Sequence, residues 1–205
     1  MSPGSVPGAA AQVHAVVVSR PATLGHCRVV CIDGPAGAGK TTLATAVAAV
    51  AAGAAGSDVR VVHMDDLYDG WRGVLDVGAQ VDALLRSLRS GGSARYRRYD
   101  WHRGTYAEEH ELLLPDLLVL EGVGAYDPAY ADLVTLLVWV EAPREVRLAR
   151  GLERDGEHLR DRWVDFLADE ERVHARTAAE RIAQVVVDGT SGEVRTRAPD
   201  PRGPR

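Results

Sequence analysis

The sequence of 205 residues lacks asparagine, and only one of its 24 basic residues is a lysine, Lys40. These absences exclude a GTPase of the kind that recognises guanine through an Asn-Lys-x-Asp segment. A compact ammonium and a planar guanidinium are not interchangeable around a phosphate group. Lys40, the one position where lysine occurs, is therefore a candidate phosphate contact.

Cysteines and long apolar runs are scarce as well. Cys27 and Cys31 are the two cysteines, and their place on an apolar segment is typical of buried free thiols, not of a disulfide framework or a zinc site. No apolar run reaches the roughly 18 residues that a membrane span needs, and the N-terminal MSPGSVPGAA lacks the basic start of a signal peptide. We expect a cytoplasmic protein with no membrane partner.

An excess of positive charge is also missing, since the formal net charge is −5. This charge argues against nucleic acid as a partner and leaves a small-molecule substrate as the expectation. With 46% hydrophobic and 26% charged residues, the composition is that of a soluble globular protein, and the length fits one domain. Any phosphate-binding site should therefore be local.

Short apolar runs alternate with helical patterns along the chain, which predicts an α/β fold with a parallel sheet covered by helices on both faces. Ligands bind such sheets at the carboxyl ends of the strands. The predicted strands are 28–32, 59–63, 117–120, 134–140 and 185–187, and the predicted helices are about 10–19, 41–52, 79–89, 143–155 and 159–179. The expected organisation is an N-terminal extension at 1–27, one domain at 28–190 and a disordered tail at 191–205.

The segment GPAGAGKT, from Gly34 to Thr41, matches the phosphate-loop pattern G-x-x-x-x-G-K-[ST] and lies between a predicted strand and a predicted helix. Its glycines let backbone N–H groups approach a phosphate, and the start of the helix adds partial positive charge. Lys40 would reach the β and γ oxygens, and Thr41 would ligate Mg²⁺. The alternative is a glycine-rich turn that only caps the helix.

Carboxylates follow two of the predicted strands at the same edge of the sheet. Asp65 and Asp66 follow the second strand, and Glu121 ends the third. A carboxylate there can accept the proton of an attacking hydroxyl or contact Mg²⁺. The alternatives are a turn or helix cap for the two aspartates and a solvated strand end for the glutamate.

Arg147, Arg150 and Arg154 share one face of the helix predicted at 143–155, at about 100° per residue. A basic face of this kind can close over a triphosphate, where it neutralises transition-state charge and excludes water. A solvated arginine face is the alternative.

The segment RYRRYDWHR at 95–103 mixes aromatic and charged residues. Tyr99 or Trp101 could stack on a base, while Asp100 could hold ribose hydroxyls. The arginines of the segment could instead bind an anionic acceptor. These are Arg97, Arg98 and Arg103. A basic surface loop with buried aromatic anchors is the third possibility, and Trp71 either lines the same cleft or packs in the core.

In chain order, GPAGAGKTT, HMDDLY, YDW, VLEGVGA and RLARGLERDG resemble the uridine kinase and nucleoside kinase group of P-loop kinases, over about residues 28–190. The resemblance implies a five-stranded parallel sheet, ATP and Mg²⁺ as cosubstrates, and a mobile lid at about 144–160. It also implies Asp65 as the catalytic carboxylate and Glu121 near the metal. The chain departs from the family where His102 follows Trp101 directly among dense arginines.

Together these observations predict a kinase that transfers the γ-phosphate of ATP to a hydroxyl of a small molecule, with a nucleoside such as uridine or cytidine preferred. A sugar or anionic acceptor is the first alternative, and a nucleotide-binding regulator without transfer activity is the second. The predicted catalytic residues are Asp65, Lys40 and Arg150. The predicted ATP-binding residues are Gly34, Gly37, Ala38, Gly39, Lys40, Thr41, Thr42, Arg147, Arg150 and Arg154. The predicted acceptor-binding residues are Asp65, Tyr68, Tyr99, Asp100, Trp101, His102 and Arg103. The predicted metal ligands are Thr41, Asp65 and Glu121. No role is predicted for His63, His110 or His174.

Overall fold

The computed structural model describes residues 5–53 and 56–197 and confirms the predicted alternation of strands and helices. Its strands are β1 (Arg28–Asp33), β2 (Val59–His63), β3 (Ser93–Asp100), β4 (Thr105–Leu113), β5 (Leu117–Glu121), β6 (Leu136–Glu141), β7 (Val185–Asp188) and β8 (Val194–Thr196). Its α-helices are α1 (Val6–Val18), α2 (Lys40–Ala52), α3 (Met64–Leu67), α4 (Val77–Gly91), α5 (Arg144–Asp155), α6 (Arg160–Thr177) and α7 (Ala179–Ile182).

The main sheet has the strand order β2-β5-β1-β6-β7-β8, and its first five strands are parallel. The sixth strand, β8, pairs antiparallel with β7 and was not predicted. The expected disordered tail is therefore wrong for residues 194–196, while residues 198–205 lie outside the described chain. Three residues at a sheet edge, one of them Arg195, carry too little apolar pattern to indicate a strand.

The first helix begins earlier than its sequence pattern indicates. Ser5 caps α1 by accepting a hydrogen bond from the Gly8 amide, and Pro7 lies in its first turn. Proline is compatible with the start of a helix, although in the sequence it reads as part of a loop. The buried side of α1, which includes Val13, packs against α2, so residues 6–18 are part of the folded core.

Residues 93–113 form a two-stranded antiparallel hairpin, β3 and β4, outside the main sheet. No strand is predicted here from the sequence, because charged residues occupy both faces of β3 and interrupt the alternation of apolar and polar residues that indicates a strand. The Asp100 carbonyl accepts the Gly104 amide across the turn. This turn brings Trp101 and His102 toward the carboxyl edge of the main sheet.

Alternate residues of the sheet point to two apolar layers, as the strand period requires. Val30 and Ile32 of β1 face the layer formed with α1 and α2, whereas Val29 and Cys31 face the layer formed with α4 and α7. Both cysteines are free and buried as predicted, and burial raises the pKa of the Cys27 thiol to about 12. None of the helices in the described ranges has the length and apolarity to cross a membrane.

Candidate functional site

A cleft of about 1010 Å³ opens at the carboxyl edge of the main sheet. Its floor is the loop between β1 and α2 together with the ends of β2 and β5. The hairpin tip forms one wall, and α5 and α6 form the other. The predicted site residues in its lining are Gly37, Gly39, Lys40, Thr41, Thr42, Asp65, Tyr68, Trp101, His102, Glu121, Arg150 and Arg154.

Two arginines of α5 hold carbonyl groups of the phosphate loop. The Ala36 carbonyl accepts a hydrogen bond from Arg147 Nη1 at 3.2 Å, and the Gly37 carbonyl accepts one from Arg150 Nη1 at 3.2 Å. Every described peptide bond is trans, so the N–H group that follows each of these carbonyls points the opposite way. The Gly37 amide therefore points away from Arg147, as a phosphate-binding amide does, whereas the Ala38 amide donates to the Pro35 carbonyl at 3.2 Å.

Two glycines of the loop are required by close backbone approaches. Gly34 has φ +140°, and a Cβ there would lie 2.1 Å from the Val140 carbonyl oxygen. Gly37 has φ +77°, and a Cβ there would lie 2.5 Å from the Arg147 carbonyl oxygen. An L side chain at either position would meet both backbone strain and a backbone atom. The glycines thus let the loop pack against β6 and α5.

Lys40, the only lysine, begins α2 and is 7% exposed. Its Nζ donates to the Pro35 carbonyl at 2.9 Å, so the ammonium bridges the two ends of the phosphate loop. Burial lowers the pKa of Lys40, and the nearby carboxylates, Glu121 first among them, oppose that shift. The ammonium therefore lies in a partly desolvated position that favours an anionic ligand.

Glu121 connects the phosphate loop to β2. It is 4% exposed and accepts the Thr41 hydroxyl at 3.1 Å, while His63 Nδ1 lies 2.5 Å from its Oε1. The hydrogen bond to Glu121 raises the pKa of His63. His63 was not predicted from the sequence as a site residue, although its place at the end of β2, in register with Glu121, is the signal that could have identified it.

Asp65 lies in the single turn of α3, directly after β2, and faces the solvent in the cleft. The protein walls of the cleft desolvate its carboxylate and raise its pKa, and the negative charge of Glu121 acts in the same direction. Lys40 and Arg154 oppose this shift. A raised pKa makes the carboxylate a better proton acceptor than an ordinary aspartate. Asp66 lies beside it in the lining, and its pKa is also raised by burial.

The predicted metal ligands fit Mg²⁺ by the chemistry of their donors. Thr41 and Glu121 are in direct contact, and Asp65 interacts with the charge of Glu121. A divalent cation would relieve the repulsion between the two carboxylates. Within residues 5–53 and 56–197, no three or more His, Cys, Asp or Glu side chains come together in a group that could hold a metal ion. Mg²⁺ suits such a site because it keeps water and phosphate oxygens among its ligands.

Aromatic side chains line the side of the cleft beside Asp65. Trp101 Nε1 donates to the Asp65 carbonyl at 3.0 Å, and its ring meets Trp71 edge to face at 5.6 Å. Trp71 in turn lies 6.0 Å from Phe166. Tyr68 is also in the wall, but its hydroxyl donates to the Val123 carbonyl at 2.6 Å. Of the two alternatives for Trp71, lining the cleft and packing, the structure shows both.

Three of the predicted acceptor residues belong to the hairpin itself and do not line the cleft. Asp100 Oδ1 accepts the amides of His102 at 2.9 Å and Arg103 at 3.0 Å, so its carboxylate stabilises the turn. Arg103 is exposed and lies 3.6 Å from Asp100. Tyr99 packs between Trp101 and Tyr106. These contacts favour structural roles for Tyr99, Asp100 and Arg103.

The hairpin arginines have partners on the neighbouring strand. Arg98 forms two hydrogen bonds with Glu108, at 3.0 and 3.1 Å, and Arg97 donates to the Tyr106 carbonyl at 3.0 Å. Neither lines the cleft described above. The anionic-acceptor alternative therefore receives no support from them.

The arginine face predicted on α5 divides into two parts. Arg150 and Arg154 line the cleft, and Arg154 also pairs with Asp155 and lies over the Trp163 ring at 5.8 Å. Arg147 instead lies behind the phosphate loop, and its Nη1 contacts Glu170 Oε1 at 2.9 Å. Of the three predicted arginines, Arg147 therefore does not line the cleft, because its side chain reaches the outer side of the loop.

Comparison with known proteins confirms the resemblance seen in the sequence. Residues 79–170 match the model of the phosphoribulokinase and uridine kinase family. A solved structure described as a possible uridine kinase from Bacillus stearothermophilus is 19% identical with a TM-score of 0.62, covering 87% of this chain and 96% of that one. A search of curated protein sequences found no significant match.

Two further solved structures have the same fold. A protein assigned as a fructose transport system kinase from a Silicibacter species is 20% identical with a TM-score of 0.61, covering 82% of this chain and 95% of that one. D-glycerate 3-kinase from Cryptococcus neoformans is 11% identical with a TM-score of 0.59, covering 92% and 99%. The chain therefore has the fold of the P-loop kinases, and within that class it is similar to the phosphoribulokinase and uridine kinase family.

We predict that Gly34→Ala strongly destabilises the protein, because its Cβ would overlap the Val140 carbonyl at a positive φ. A loss of about 3 kcal/mol or more in the free energy of unfolding is expected from such backbone conflicts. Chemical denaturation measures it. Gly91→Ala is the matched control, since no atom lies within 4 Å of its added Cβ. Equal stability of the two variants would contradict the assigned role of Gly34.

Proposed function

We propose that the protein is a kinase that uses ATP and Mg²⁺ to phosphorylate a hydroxyl of a small molecule. The observation that carries this proposal is the meeting of Lys40, Thr41 and Asp65 in one cleft, beside a glycine-rich loop whose Gly37 amide points away from Arg147. A nucleotide-binding regulator would need the loop and Lys40, whereas the Asp65 carboxylate in the same cleft serves the proton of an acceptor hydroxyl. Transfer is therefore favoured over binding alone.

In the proposed reaction a bond forms between the acceptor oxygen and the γ-phosphorus, and the bond from that phosphorus to the bridging β,γ oxygen breaks. ADP is the leaving group. The acceptor proton passes to the Asp65 carboxylate, which the raised pKa prepares to receive it. Lys40 and Arg150 stabilise negative charge on the phosphoryl oxygens, which is the main demand of phosphoryl transfer.

Thr41, Asp65 and Glu121 are the residues that would hold Mg²⁺, the Thr41 hydroxyl being next to Glu121 already. Mg²⁺ bound there would neutralise charge on the β and γ phosphates. His63 holds the Glu121 carboxylate from its other side and limits its rotation. Arg154 interacts with the charge of Asp65 and thus connects the wall formed by α5 with the proton acceptor.

A nucleoside is the acceptor that the cleft supports best. The wall beside Asp65 presents Trp71, Trp101 and Phe166, which suit a flat ring. The arginines of the hairpin, which could have bound an anion, already pair with neighbours. The printed names of the similar structures also include kinases of fructose transport and of glycerate, so a sugar or a carboxylated acceptor is the alternative tested below.

The proposal predicts that one class of compound in a metabolite pool gains a phosphoryl group when the protein and Mg-ATP are added. Mass spectrometry of the pool identifies the product. Lys40→Ala is the matched control, and its transfer should be abolished because the phosphates lose the one ammonium of the loop. Nucleoside monophosphates are the expected products. No new phosphorylated product, or equal activity of Lys40→Ala, would refute the proposed function.

For Asp65→Asn we expect kcat to fall by about 10² to 10⁴, the range for a positioned acid or base, because an amide cannot accept the proton. ATP affinity measured without Mg²⁺ should change little, since Asp65 is not part of the phosphate loop. The control is Asp66→Asn, which removes a carboxylate from the adjacent position and should leave kcat within about tenfold. Steady-state kinetics measure kcat for both variants. A preserved kcat in Asp65→Asn would exclude Asp65 as the proton acceptor.

The nature of the acceptor is tested by a pair of hairpin variants. Trp101→Ala should raise the acceptor KM through lost stacking, by the roughly 1 to 3 kcal/mol that a base–aromatic contact contributes, with the ATP KM unchanged. Arg98→Ala should leave the acceptor KM nearly unchanged, because Arg98 pairs with Glu108. Added salt should matter little for a neutral nucleoside. A larger effect of Arg98→Ala and of salt would favour an anionic acceptor.

A further inference from the structure

We propose that Glu170 and Arg147 are positioning residues of the phosphate loop, and that together they orient Lys40 without contacting either substrate. This inference rests on the proposed function, because it assigns a role within the same site. Neither residue lines the cleft, and both lie behind the loop, between it and the helices α5 and α6.

Glu170 makes a direct contact with the loop backbone. It lies in α6, is 2% exposed, and its Oε2 accepts the Ala36 amide at 2.6 Å. Its second oxygen, Oε1, accepts Arg147 Nη1 at 2.9 Å. Both oxygens therefore have partners, which is what a buried carboxylate needs to remain charged.

The Ala36 amide belongs to the same peptide unit as the Pro35 carbonyl. Because this peptide is trans, the carbonyl points away from Glu170, and it accepts Lys40 Nζ at 2.9 Å. Glu170 thus fixes the plane of the peptide whose other side holds the ammonium. The charge of Glu170 also contributes to the pKa of Lys40, which shows that the two groups are close.

Arg147 holds the next peptide unit of the loop. Its Nη1 donates to the Ala36 carbonyl at 3.2 Å as well as to Glu170, and its Nε donates to the Ala142 carbonyl at 3.2 Å. The guanidinium is therefore fixed at three points and is nearly buried. Because the Ala36 carbonyl is held outward, the Gly37 amide points inward, toward the place of a phosphate.

A buried ion pair is an expensive way to stabilise a fold, since apolar residues of similar volume often do as well. Apolar residues could not replace this pair, because the Ala36 N–H and the Ala36 carbonyl would lose their hydrogen-bond partners. The pair therefore acts on the conformation of the loop, and through it on Lys40 and the Gly37 amide.

The test measures ADP affinity by titration calorimetry, without acceptor, in the full-length protein. Glu170→Leu should weaken ADP binding by about 10- to 100-fold, the loss expected for a hydrogen bond to a charged group. Glu170→Gln should weaken it by only about 3- to 10-fold, because its oxygen can still accept the Ala36 amide while its NH₂ faces the Arg147 guanidinium. Thermal melting of each variant shows that it is folded.

Asp169→Asn is the matched control, since Asp169 is the adjacent residue of α6 and also pairs with an arginine, Arg172 at 3.0 Å, but does not contact the loop. Its ADP affinity should equal that of the unmodified protein. A Glu170→Gln variant with unchanged affinity, or an equal loss in Asp169→Asn, would overturn the positioning role, even if Glu170→Leu does not fold. Failure of the unmodified protein to bind ADP would instead refute the proposed function itself.

Discussion

The arrangement of the site depends on one buried carboxylate, Asp33 at the end of β1. Its Oδ1 accepts the amides of Gly34 at 2.7 Å and Gly124 at 3.0 Å, and its Oδ2 accepts the Tyr126 amide at 3.1 Å. A carboxylate that accepts several backbone N–H groups is among the stronger local constraints in a protein. Asp33 thereby joins the start of the phosphate loop to the segment that follows β5. Together with the register of β1 and β5, in which Ile32 pairs with Glu121, this junction holds the end of β5 beside the phosphate loop.

The sequence predicted two kinds of site residue, those that belong to one continuous motif and those that lie at the carboxyl ends of strands. The phosphate loop, with Lys40 and Thr41, is a local motif whose conformation follows from its glycines and from the helix after it. Asp65 and Glu121 were found because parallel strands bring their carboxyl ends to one edge of the sheet. His63 obeys the same rule, in register with Glu121, yet a histidine at a strand end carries no chemical signal until its partner is known.

Other features depend on contacts between distant parts of the chain, and a single sequence does not specify such partners. Glu170 lies among the charged residues of α6, where nothing distinguishes it from its neighbours until the fold places it against Ala36, 134 positions away. The hairpin was missed because its strands bury little apolar surface, and arginine–glutamate pairs such as Arg98 and Glu108 connect them instead. The helical spacing places Arg147 on the correct face of α5. It does not determine which part of the phosphate loop the long arginine side chain contacts.

Asp65 lies at the boundary between two chemically different halves of the cleft. On one side are the cations Lys40, Arg150 and Arg154, and on the other is the wall that contains Trp101. Desolvation by the walls of the cleft and the charge of Glu121 raise the pKa of Asp65, whereas Lys40 and Arg154 lower it. The basicity of Asp65 therefore depends on the cations of the cleft as well as on the walls that exclude water from its carboxylate. Because Arg154 both interacts with Asp65 and packs over Trp163, movement of α5 would change the charge around the Asp65 carboxylate and the shape of the cleft together.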